Sequence, residues 1–484
     1  MNRMLALPVW LVVVLVILAV WAALDRLLFP SVRWFLRRRV NRVLEEINTR
    51  LKIQIPPFKL TRREVLIDRL LYDPEVQKAA EAFAASEEMP RDVVMERVGI
   101  YAREIVPSFN AYAYFRLGYS LARNLARLLY RVRLGYSDEE GLASLPPKST
   151  VVFLINHRSN MDYILVAYLA AEKAAISYAV GEWARVWPLQ TLVKSMGAYF
   201  VRRNSRDALY RKVLERWIAM ATDAGVTQAV FPEGGLSRDG KLRPPKVGLL
   251  DYMVRSFDSS GERDIAFIPV GINYDRTFED RSFLAERDGT ARRGGFAAMS
   301  ATARFVAKNF ALMARNRWHR FGYACVNFGS PVSLKRWLAG RKADPASLSR
   351  EERGALVTSL AEHLMGEIAR VIPVVPVSLV ARALVSDPAR SWSELELKAR
   401  ALEEMRELAA NGAHVYVPRG DQDYAIDVGL RMLTLRRLVA ENNGLFSPVA
   451  AELPLLEYYA NSIEHLFAGA TAAAPAPLRS APRR

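Results

Sequence analysis

The pattern of apolar and polar positions changes several times along the chain. Residues 31–147 show helical spacing and carry many charges, and residues 336–467 return to the same pattern. Between them, residues 148–335 alternate short apolar runs with helical stretches. The final residues, 468–484, are small residues, prolines and arginines with too little apolar bulk to pack. The pattern predicts a helical region, an α/β domain, a second helical region and a disordered tail.

The central part of the chain contains the apolar runs that predict strands. These runs are Val151–Ile155, Ala174–Val180, Ala198–Val201, Gln228–Phe231, Ile265–Gly271 and Ala324–Phe328. Strands that alternate with helices predict an α/β fold whose central sheet is covered by helices on both faces. Ligand chemistry in such sheets tends to lie at the carboxyl ends of the strands, which is where the polar clusters of this sequence fall.

The N-terminal residues, 1–30, contain the longest apolar run. No residue from Leu5 to Leu24 is charged, and a helix of this length can cross a hydrocarbon core ~30 Å thick. A cleaved signal peptide is the alternative, but its apolar region would be shorter, and residues 25–29 contain no small-residue cleavage site. Arginines are concentrated after the run, so the positive-inside tendency predicts a single-pass anchor with the bulk of the chain in the cytoplasm.

The net charge of +17 narrows the classes of partner. A basic chain can bind nucleic acid, an anionic lipid surface, or an acidic substrate or carrier. The predicted anchor and its flanking arginines favour the second and third, because each basic residue near an anionic leaflet contributes ~1 kcal/mol. The segment Phe109–Leu134 has arginines and leucines at helical spacing. It predicts a basic amphipathic helix, which lies either on the membrane surface or against the neighbouring domain.

The first cluster of residues that could carry chemistry follows the first predicted strand. The segment is Asn156-His-Arg-Ser-Asn-Met-Asp162, and it leads into apolar, helix-compatible residues. Ser159 and Asn160 are good helix caps, which predicts His157 in a turn and Asp162 in the first turn of a helix. His157 can then fold back onto Asp162. The carboxylate would fix the imidazole tautomer while the other ring nitrogen takes a proton from a hydroxyl.

Three further polar clusters follow later predicted strands. Gly197-Ala-Tyr-Phe-Val-Arg-Arg203 ends in paired arginines, and Phe231-Pro-Glu-Gly-Gly-Leu-Ser-Arg238 opens into a glycine-rich loop. Phe267-Ile-Pro-Val-Gly-Ile-Asn-Tyr274 is a strand with a polar end. Arginine matches phosphate by bidentate hydrogen bonding, and glycines let backbone N–H groups approach an anion. Each cluster by itself is equally compatible with a solvated loop or an ordinary strand end.

Together, the four segments resemble the sequence blocks of the glycerolipid acyltransferase superfamily, in the same order. The blocks are His-x4-Asp, Gly-x-x-Phe-x-Arg-Arg, Phe-Pro-Glu-Gly and Ile-Pro-Val. The His-Arg-Ser-x-x-Asp-Tyr form and the doubled glycine are most similar to glycerol-3-phosphate and dihydroxyacetone-phosphate acyltransferases. Segments Pro376–Leu384 and Tyr458–Phe467 are similar to segments that large bacterial glycerol-3-phosphate acyltransferases carry after the catalytic domain. The resemblance implies a mixed central sheet flanked by helices, with residues 148–335 as the catalytic domain.

The resemblance also implies a reaction and a set of site residues. The chain would transfer a fatty acyl group from acyl-CoA or acyl carrier protein to the sn-1 hydroxyl of glycerol 3-phosphate in phospholipid synthesis. It would need no cofactor, metal or nucleic acid, and would work at the cytoplasmic face of the inner (plasma) membrane. His157 is the implied general base and Asp162 its partner. The implied substrate-binding residues are Arg202, Arg203, Glu233, Gly234, Gly235, Ser237 and Arg238, and those shaping the acyl side are Pro269 and Tyr274.

One departure from the family pattern leaves the acceptor open. Leu236 stands where the family usually has an arginine associated with phosphate binding, so lysophosphatidate and dihydroxyacetone phosphate remain alternative acceptors. From another class, a lipid serine hydrolase could use a His–Asp pair. Its Gly-x-Ser-x-Gly pattern is approached at Gly235-Leu-Ser-Arg-Asp239, but Asp239 occupies the last glycine position. A third alternative is a non-catalytic membrane scaffold, which the presence of the block residues disfavours.

Overall fold

The structure is a computed structural model that describes residue 53 and residues 55–170, 174–181, 189–202, 205–287 and 320–467. The predicted membrane anchor, Arg203 and the predicted disordered tail lie outside these ranges. Among the described residues, no helix combines the length and the apolar character that a bilayer crossing requires.

A mixed sheet forms the centre of the described part of the chain, as predicted. Its eight strands are β1 (Arg131–Ser137), β2 (Thr150–Ile155), β3 (Ser177–Gly181), β4 (Tyr199–Val201), β5 (Gln228–Val230), β6 (Ile265–Tyr274), β7 (Tyr323–Phe328) and β8 (Val332–Ser333). The order is β1-β7-β6-β2-β5-β3-β4, and β8 pairs with β6. Strands β6, β2, β5, β3 and β4 run parallel, whereas β7 and β8 are antiparallel to β6, and β1 is parallel to β7.

The six predicted strands are all present, but the sequence pattern missed β1. The predicted helix over Phe109–Leu134 is wrong at its C-terminal end, because the helix stops at Leu129 and Arg131–Ser137 form an edge strand. Backbone pairing with β7 decides the conformation here. The apolar residues Val132, Leu134 and Tyr136 do alternate with polar ones, but this alternation is short and directly follows a longer stretch with helical spacing, so it was not recognised as a strand. The sheet therefore begins before residue 148, inside the region predicted to be helical.

Helices cover both faces of the sheet and continue into the C-terminal region. They are α1 (Pro57–Leu60), α2 (Arg63–Leu71), α3 (Pro74–Ser86), α4 (Arg91–Ile105), a π-helical turn (Ala113–Gly118), α5 (Tyr119–Leu129), α6 (Glu139–Ala143), α7 (Met161–Ala170), α8 (Leu189–Ser195), α9 (Ala208–Asp223), α10 (Gly248–Arg255), α11 (Asp280–Arg287), α12 (Leu334–Ala339), α13 (Arg350–Val371), α14 (Pro376–Val385), α15 (Glu394–Ala410), α16 (Gln422–Leu435) and α17 (Leu453–Glu464). Side-chain caps begin several of them. Asp73 accepts from the backbone at the start of α3, and Ser349 and Glu352 form a capping box on α13.

The central strand β2 shows how the two faces of the sheet are buried. Val152 and Leu154 belong to a core that also holds side chains of α2, α4, α9, α10 and α13. Phe153 and Ile155, on the opposite face, belong to a second core with side chains of α5 and α7. A strand that is buried on both faces has a continuous apolar sequence, which is why this strand was predictable.

The C-terminal region has its own core and lies against the carboxyl end of β6. Helix α14 packs centrally against α15, α16 and α17. A small antiparallel sheet of β9 (Trp392–Ser393), β10 (Val439–Asn442) and β11 (Leu445–Pro448) completes it. The prediction of a mostly helical region did not include this sheet, although Asn443 and Gly444 form a two-residue turn with positive φ angles of 52° and 76°, a typical hairpin signal.

Candidate active site

The candidate site begins where β2 ends. Residues 156–160 form a turn between β2 and α7, and Asn156 fixes this turn to β6. The side-chain Nδ2 of Asn156 donates to the backbone carbonyl of Ile272 at 2.9 Å. The side-chain Oδ1 of Asn156 accepts the backbone N–H of Ile272 at 2.7 Å. The turn therefore lies at the carboxyl ends of parallel strands, as the sequence predicted.

His157 and Asp162 meet within this turn. The Nδ1 atom of His157 lies 3.0 Å from Asp162 Oδ2, and both side chains are almost completely buried. The same oxygen accepts the backbone N–H groups of Arg158 at 2.7 Å and Ser159 at 3.0 Å. The other oxygen accepts the Tyr274 hydroxyl at 2.5 Å. Four donors thus hold the Asp162 carboxylate, which in turn orients the imidazole.

The pair is arranged for general-base chemistry. Because Nδ1 faces a carboxylate, it carries the proton and Nε2 is left to accept one from a hydroxyl.

Cys325 and Ser237 carry the other groups that could act as nucleophiles. Cys325 is fully buried in β7, where burial raises its pKa, and the Ser237 hydroxyl donates to the Lys241 carbonyl at 2.7 Å. In the described part of the chain, no group of three or more His, Cys, Asp or Glu side chains is arranged to hold a metal.

A cavity of about 300 Å³ opens beside His157. The imidazole packs on the ring of Phe231, with centroids 4.1 Å apart, and meets the ring of Tyr163 edge-on at 5.6 Å. The apolar residues on the cavity wall include Val180, Val201, Leu214 and Leu249. The cationic residues on the wall are Arg202, Arg211 and Lys246. A ligand with an apolar part and an anionic part fits this lining.

Glu233 supports the catalytic turn through the backbone. One carboxylate oxygen accepts the His157 N–H at 2.7 Å, and the other accepts the Arg243 N–H at 2.9 Å. Burial raises the pKa of Glu233 above its usual value. Gly234 lines the cavity with a φ of 63°, and an added Cβ would lie 2.5 Å from Lys246 Cδ. Of these two predicted substrate-binding residues, Gly234 faces the cavity, whereas Glu233 joins two segments of the protein.

The remaining predicted residues of this loop lie outside the cavity lining. The Ser237 N–H donates to the His157 carbonyl at 2.9 Å, and Gly235 is buried near Arg243. Arg238 is exposed and lies outside the residues that line the cavity. Leu236, the departure from the family pattern, packs against the core of the C-terminal region. The loop thus attaches the catalytic turn to that region.

Arg202 lines the cavity but already has a carboxylate partner. Its guanidinium forms two hydrogen bonds with Glu104 of α4, at 2.9 and 2.6 Å. It also lies over the rings of Tyr101 and Tyr210, at 5.0 and 4.8 Å from their centroids. The hydrogen bonds to Glu104 raise the pKa of Arg202. The Arg202 guanidinium, which was predicted to bind phosphate, is therefore engaged with Glu104 of α4.

The two residues predicted to shape the acyl side lie along β6. Pro269 pairs with Leu154 inside the sheet, and its carbonyl accepts the Gly329 N–H at 2.8 Å. Tyr274 is fully buried, and its hydroxyl contacts Asp162 rather than the cavity lining. Burial and the nearby Asp162 charge raise the pKa of Tyr274. The structure thus brings Tyr274 to the catalytic pair, while Pro269 lies within the sheet.

Several residues at the site carried no recognisable signal in the sequence. Lys246 and Arg211 come from a loop and a helix in which cations are ordinary surface residues. Glu104 contacts the cavity residue Arg202 from the N-terminal helical region, and Glu279 contacts the catalytic turn from the segment after β6. Tyr163 could have been singled out as a site residue, because it directly follows Asp162 in the first turn of α7, where its ring meets that of His157.

Two family models match separate parts of the chain. Residues 137–273 match the model of the family described as Acyltransferase. Residues 309–480 match the model described as Glycerol-3-phosphate acyltransferase C-terminal region. The first match contains the turn, the glycine-rich loop and most of β6, and the second contains β7 and the C-terminal region.

Curated relatives align with most of the chain. The glycerol-3-phosphate acyltransferase of Pseudomonas putida is 26% identical over 452 residues, which cover 89% of this chain and 52% of the relative. That of Aeromonas hydrophila is 27% identical over 423 residues, which cover 85% of this chain and 51% of the relative. The chain therefore spans about half the length of the curated relatives it matches. Among solved structures, the 1-acyl-sn-glycerophosphate acyltransferase of Thermotoga maritima is 17% identical, with a TM-score of 0.29, over 52% of this chain and 79% of its own.

Proposed function

We propose that this chain belongs to the acyltransferase family, carries the glycerol-3-phosphate acyltransferase C-terminal region, and acylates a hydroxyl of glycerol 3-phosphate. The observation that carries the proposal is the buried His157–Asp162 pair beside a cavity with both apolar and cationic walls. The names of the aligned relatives support this acceptor.

In the proposed reaction, the sn-1 hydroxyl of the acceptor binds at His157 Nε2. His157 removes the hydroxyl proton while the oxygen attacks the thioester carbonyl of acyl-CoA or acyl carrier protein. The tetrahedral intermediate expels the thiolate, which takes the proton from the imidazolium, and Asp162 stabilises that imidazolium meanwhile. General-base catalysis of this kind typically contributes ~10²–10⁴-fold. Alignment of the two substrates in the cavity supplies a further part of the rate enhancement.

The acceptor phosphate is proposed to bind near Arg211 and Lys246. Both line the cavity, whereas the fork of Arg202 is engaged by Glu104 and Arg238 lies outside the lining. The apolar wall would hold the first part of the acyl chain. Lysophosphatidate and dihydroxyacetone phosphate also carry both a hydroxyl and a phosphate, and they remain the alternative acceptors.

The reaction is proposed to take place at the cytoplasmic face of the inner (plasma) membrane. The predicted anchor at residues 5–24 supports this, and so does the outer face of the helix leading to β1. There, Leu117 and Leu121 are 57% and 49% exposed, and Arg116 and Arg123 beside them are also exposed. Such a face suits the surface of an anionic leaflet. Alkaline carbonate extraction tests the anchor, because the full chain should stay in the membrane pellet, and its release would contradict the proposal.

One parallel assay tests the reaction. Membranes that contain the full chain receive labelled glycerol 3-phosphate, dihydroxyacetone phosphate or lysophosphatidate, each with acyl-CoA and with acyl carrier protein donors. We expect lysophosphatidate to form from glycerol 3-phosphate, and His157→Ala to abolish it without loss of the protein from the membrane. Acylation of lysophosphatidate alone would overturn the proposed acceptor. Substantial turnover by His157→Ala would overturn the proposed base.

The serine hydrolase alternative receives no support from the geometry. The Ser237 hydroxyl donates to the Lys241 carbonyl within its own loop, rather than to the His157 ring as a triad serine would. A serine-directed phosphonate should therefore leave the transferase activity unchanged.

A further inference from the structure

Glu279 contacts the catalytic turn from outside the sequence blocks. One of its carboxylate oxygens accepts the Ser159 hydroxyl at 2.6 Å, and the other accepts the Asn160 N–H at 3.0 Å. Ser159 also donates its backbone N–H to Asp162, at 3.0 Å. Two carboxylates therefore hold the same turn. Asp162 holds it from within, and Glu279 holds it from the segment that precedes α11.

The next residue, Asp280, is held by the C-terminal region. Its Oδ2 atom lies 2.5 Å from an Arg436 guanidinium nitrogen and accepts the Tyr459 hydroxyl at 2.5 Å. Arg436 follows α16 and Tyr459 lies on α17, and Arg436 also donates to the Tyr459 hydroxyl at 2.9 Å. All three side chains are buried or nearly so. This buried contact fixes the start of α11, and Glu279 with it.

We propose that Glu279 is a positioning residue for the His157–Asp162 pair, and that the C-terminal region holds it in place through Asp280. The inference rests on the proposed function, which supplies the reaction that the positioning serves. A misplacement of about 1 Å at a catalytic group can cost ~10²-fold in rate. The C-terminal region thus contributes to catalysis although, among the described residues, none of those that line the cavity comes from it.

The main test is the pair of variants Glu279→Ala and Glu279→Gln in the full chain. Alanine leaves the Ser159 hydroxyl and the Asn160 N–H without their acceptor, so we expect kcat to fall roughly 10- to 100-fold while KM for glycerol 3-phosphate changes less than about twofold. Glutamine keeps one acceptor oxygen, and the Ser159 hydroxyl can turn to accept from its amide. We therefore expect Glu279→Gln to recover part of the lost kcat.

A matched control comes from the neighbouring residue of α11. Arg281 forms an exposed ion pair with Glu452, at 3.1 Å, which also joins α11 to the C-terminal region but does not contact the turn. Glu452→Ala should leave kcat unchanged. Tyr459→Phe removes one donor from Asp280 while keeping the shape of the buried side chain, and it should lower kcat in the same direction as Glu279→Ala.

Amide hydrogen exchange over residues 156–163 makes the test independent of the reaction. We expect faster exchange of this segment in Glu279→Ala and Tyr459→Phe, and wild-type exchange in Glu452→Ala. Unchanged exchange of the turn in Glu279→Ala, or an equal loss of kcat with glutamine and alanine, would overturn the positioning role. If the wild-type chain acylates no acceptor while the exchange result holds, the proposed function fails and the support of the turn by Glu279 stands.

Discussion

At the scale of single residues, Asp162 has more hydrogen-bond donors than a carboxylate needs in order to orient one imidazole. Two backbone N–H groups, the His157 ring and the Tyr274 hydroxyl converge on it. The backbone donors come with the turn itself, so they follow from the local sequence. The Tyr274 hydroxyl comes from the end of β6 and depends on the packing of the sheet.

Tyr274→Phe isolates that long-range contact. The substitution removes the hydrogen bond to Asp162 Oδ1 and keeps the buried ring, so we expect kcat/KM to fall roughly tenfold, because a hydrogen bond to a charged group contributes ~1.5–3 kcal/mol. The matched control is Tyr130→Phe. The Tyr130 ring packs on Tyr274 at 5.3 Å, but its hydroxyl donates to the Arg276 carbonyl and does not contact Asp162. Steady-state kinetics of both variants decide whether the contact with Asp162 matters, or whether the loss of any buried hydroxyl at this place has the same effect.

We expect the stability of the C-terminal region to depend on pH because of Glu404. The side chain is buried on α15, with an Arg400 nitrogen 3.3 Å away, and burial raises its pKa to about 7. A carboxyl whose pKa is higher in the folded state stabilises the fold while it is protonated. That contribution is lost as the pH rises from about 4.5, its ordinary pKa, to about 7.

Glu404→Gln removes this titration. We expect the variant to match the wild type in free energy of unfolding at pH 5 and to exceed it at pH 8, as measured by urea denaturation. Glu403, which is exposed and also pairs with Arg400, provides the control. A similar gain at pH 8 from Glu403→Gln would show that surface charge, rather than burial of Glu404, is responsible.

At the scale of secondary-structure elements, the glycine-rich loop and α17 approach each other very closely. Gly240 has a φ of 87°, and an added Cβ would lie 1.9 Å from the Tyr458 carbonyl oxygen. The Arg158 side chain crosses the same contact, donating to the Gly240 carbonyl at 2.7 Å and lying over the Tyr458 ring. Helix α17 therefore packs directly on the glycine-rich loop, which in turn contacts the catalytic turn through the Ser237 N–H.

Gly240→Ala should displace α17 as well as strain the backbone. We expect a loss of stability of more than ~1 kcal/mol, the usual penalty for a left-handed non-glycine residue, together with a fall in kcat. Gly412→Ala is the control, because Gly412 has a φ of 77° but nothing within 4 Å of an added Cβ. Thermal unfolding of both variants separates strain from close approach. Equal destabilisation by the two would mean that the contact with α17 adds nothing.

The sequence predicted those elements whose conformation depends on their own residues. Strand β2 is apolar throughout because both of its faces are buried, and the turn after it contains its own caps and its own carboxylate. Strand β1 was missed because its pairing with β7 joins segments nearly two hundred residues apart along the chain. Glu104 and Glu279 were missed for the same reason, since each is an ordinary helical or loop carboxylate until the fold brings it to the site.

At the scale of the whole molecule, the cavity is built from segments distant in sequence. The α4 residue Glu104 engages Arg202, so among the described lining residues the positive charges left for an anionic ligand are Arg211 and Lys246. Exposed charges act over a Debye length of ~10 Å at 0.1 M salt. The affinity for the acceptor should consequently weaken as salt concentration rises.

Arg211→Ala tests this assignment of the phosphate site. We expect KM for glycerol 3-phosphate to rise roughly tenfold with little change in kcat, since a charge-assisted hydrogen bond to phosphate is lost. The neighbouring Lys212→Ala is the control, because Lys212 pairs with Glu215 at 3.1 Å and does not line the cavity. An unchanged KM in Arg211→Ala would move the phosphate to another part of the cavity.

The hydrogen bonds of Glu233 separate the support of His157 from the outer surface of the glycine-rich loop. Its carboxylate accepts the backbone N–H groups of both His157 and Arg243. It therefore connects the start of the glycine-rich loop to the catalytic turn and to the end of the same loop. The exposed residues between them, Arg238, Asp239 and Lys241, can then be exchanged without releasing His157. The outer surface of the loop can therefore vary in evolution while the proton-transfer groups keep their positions.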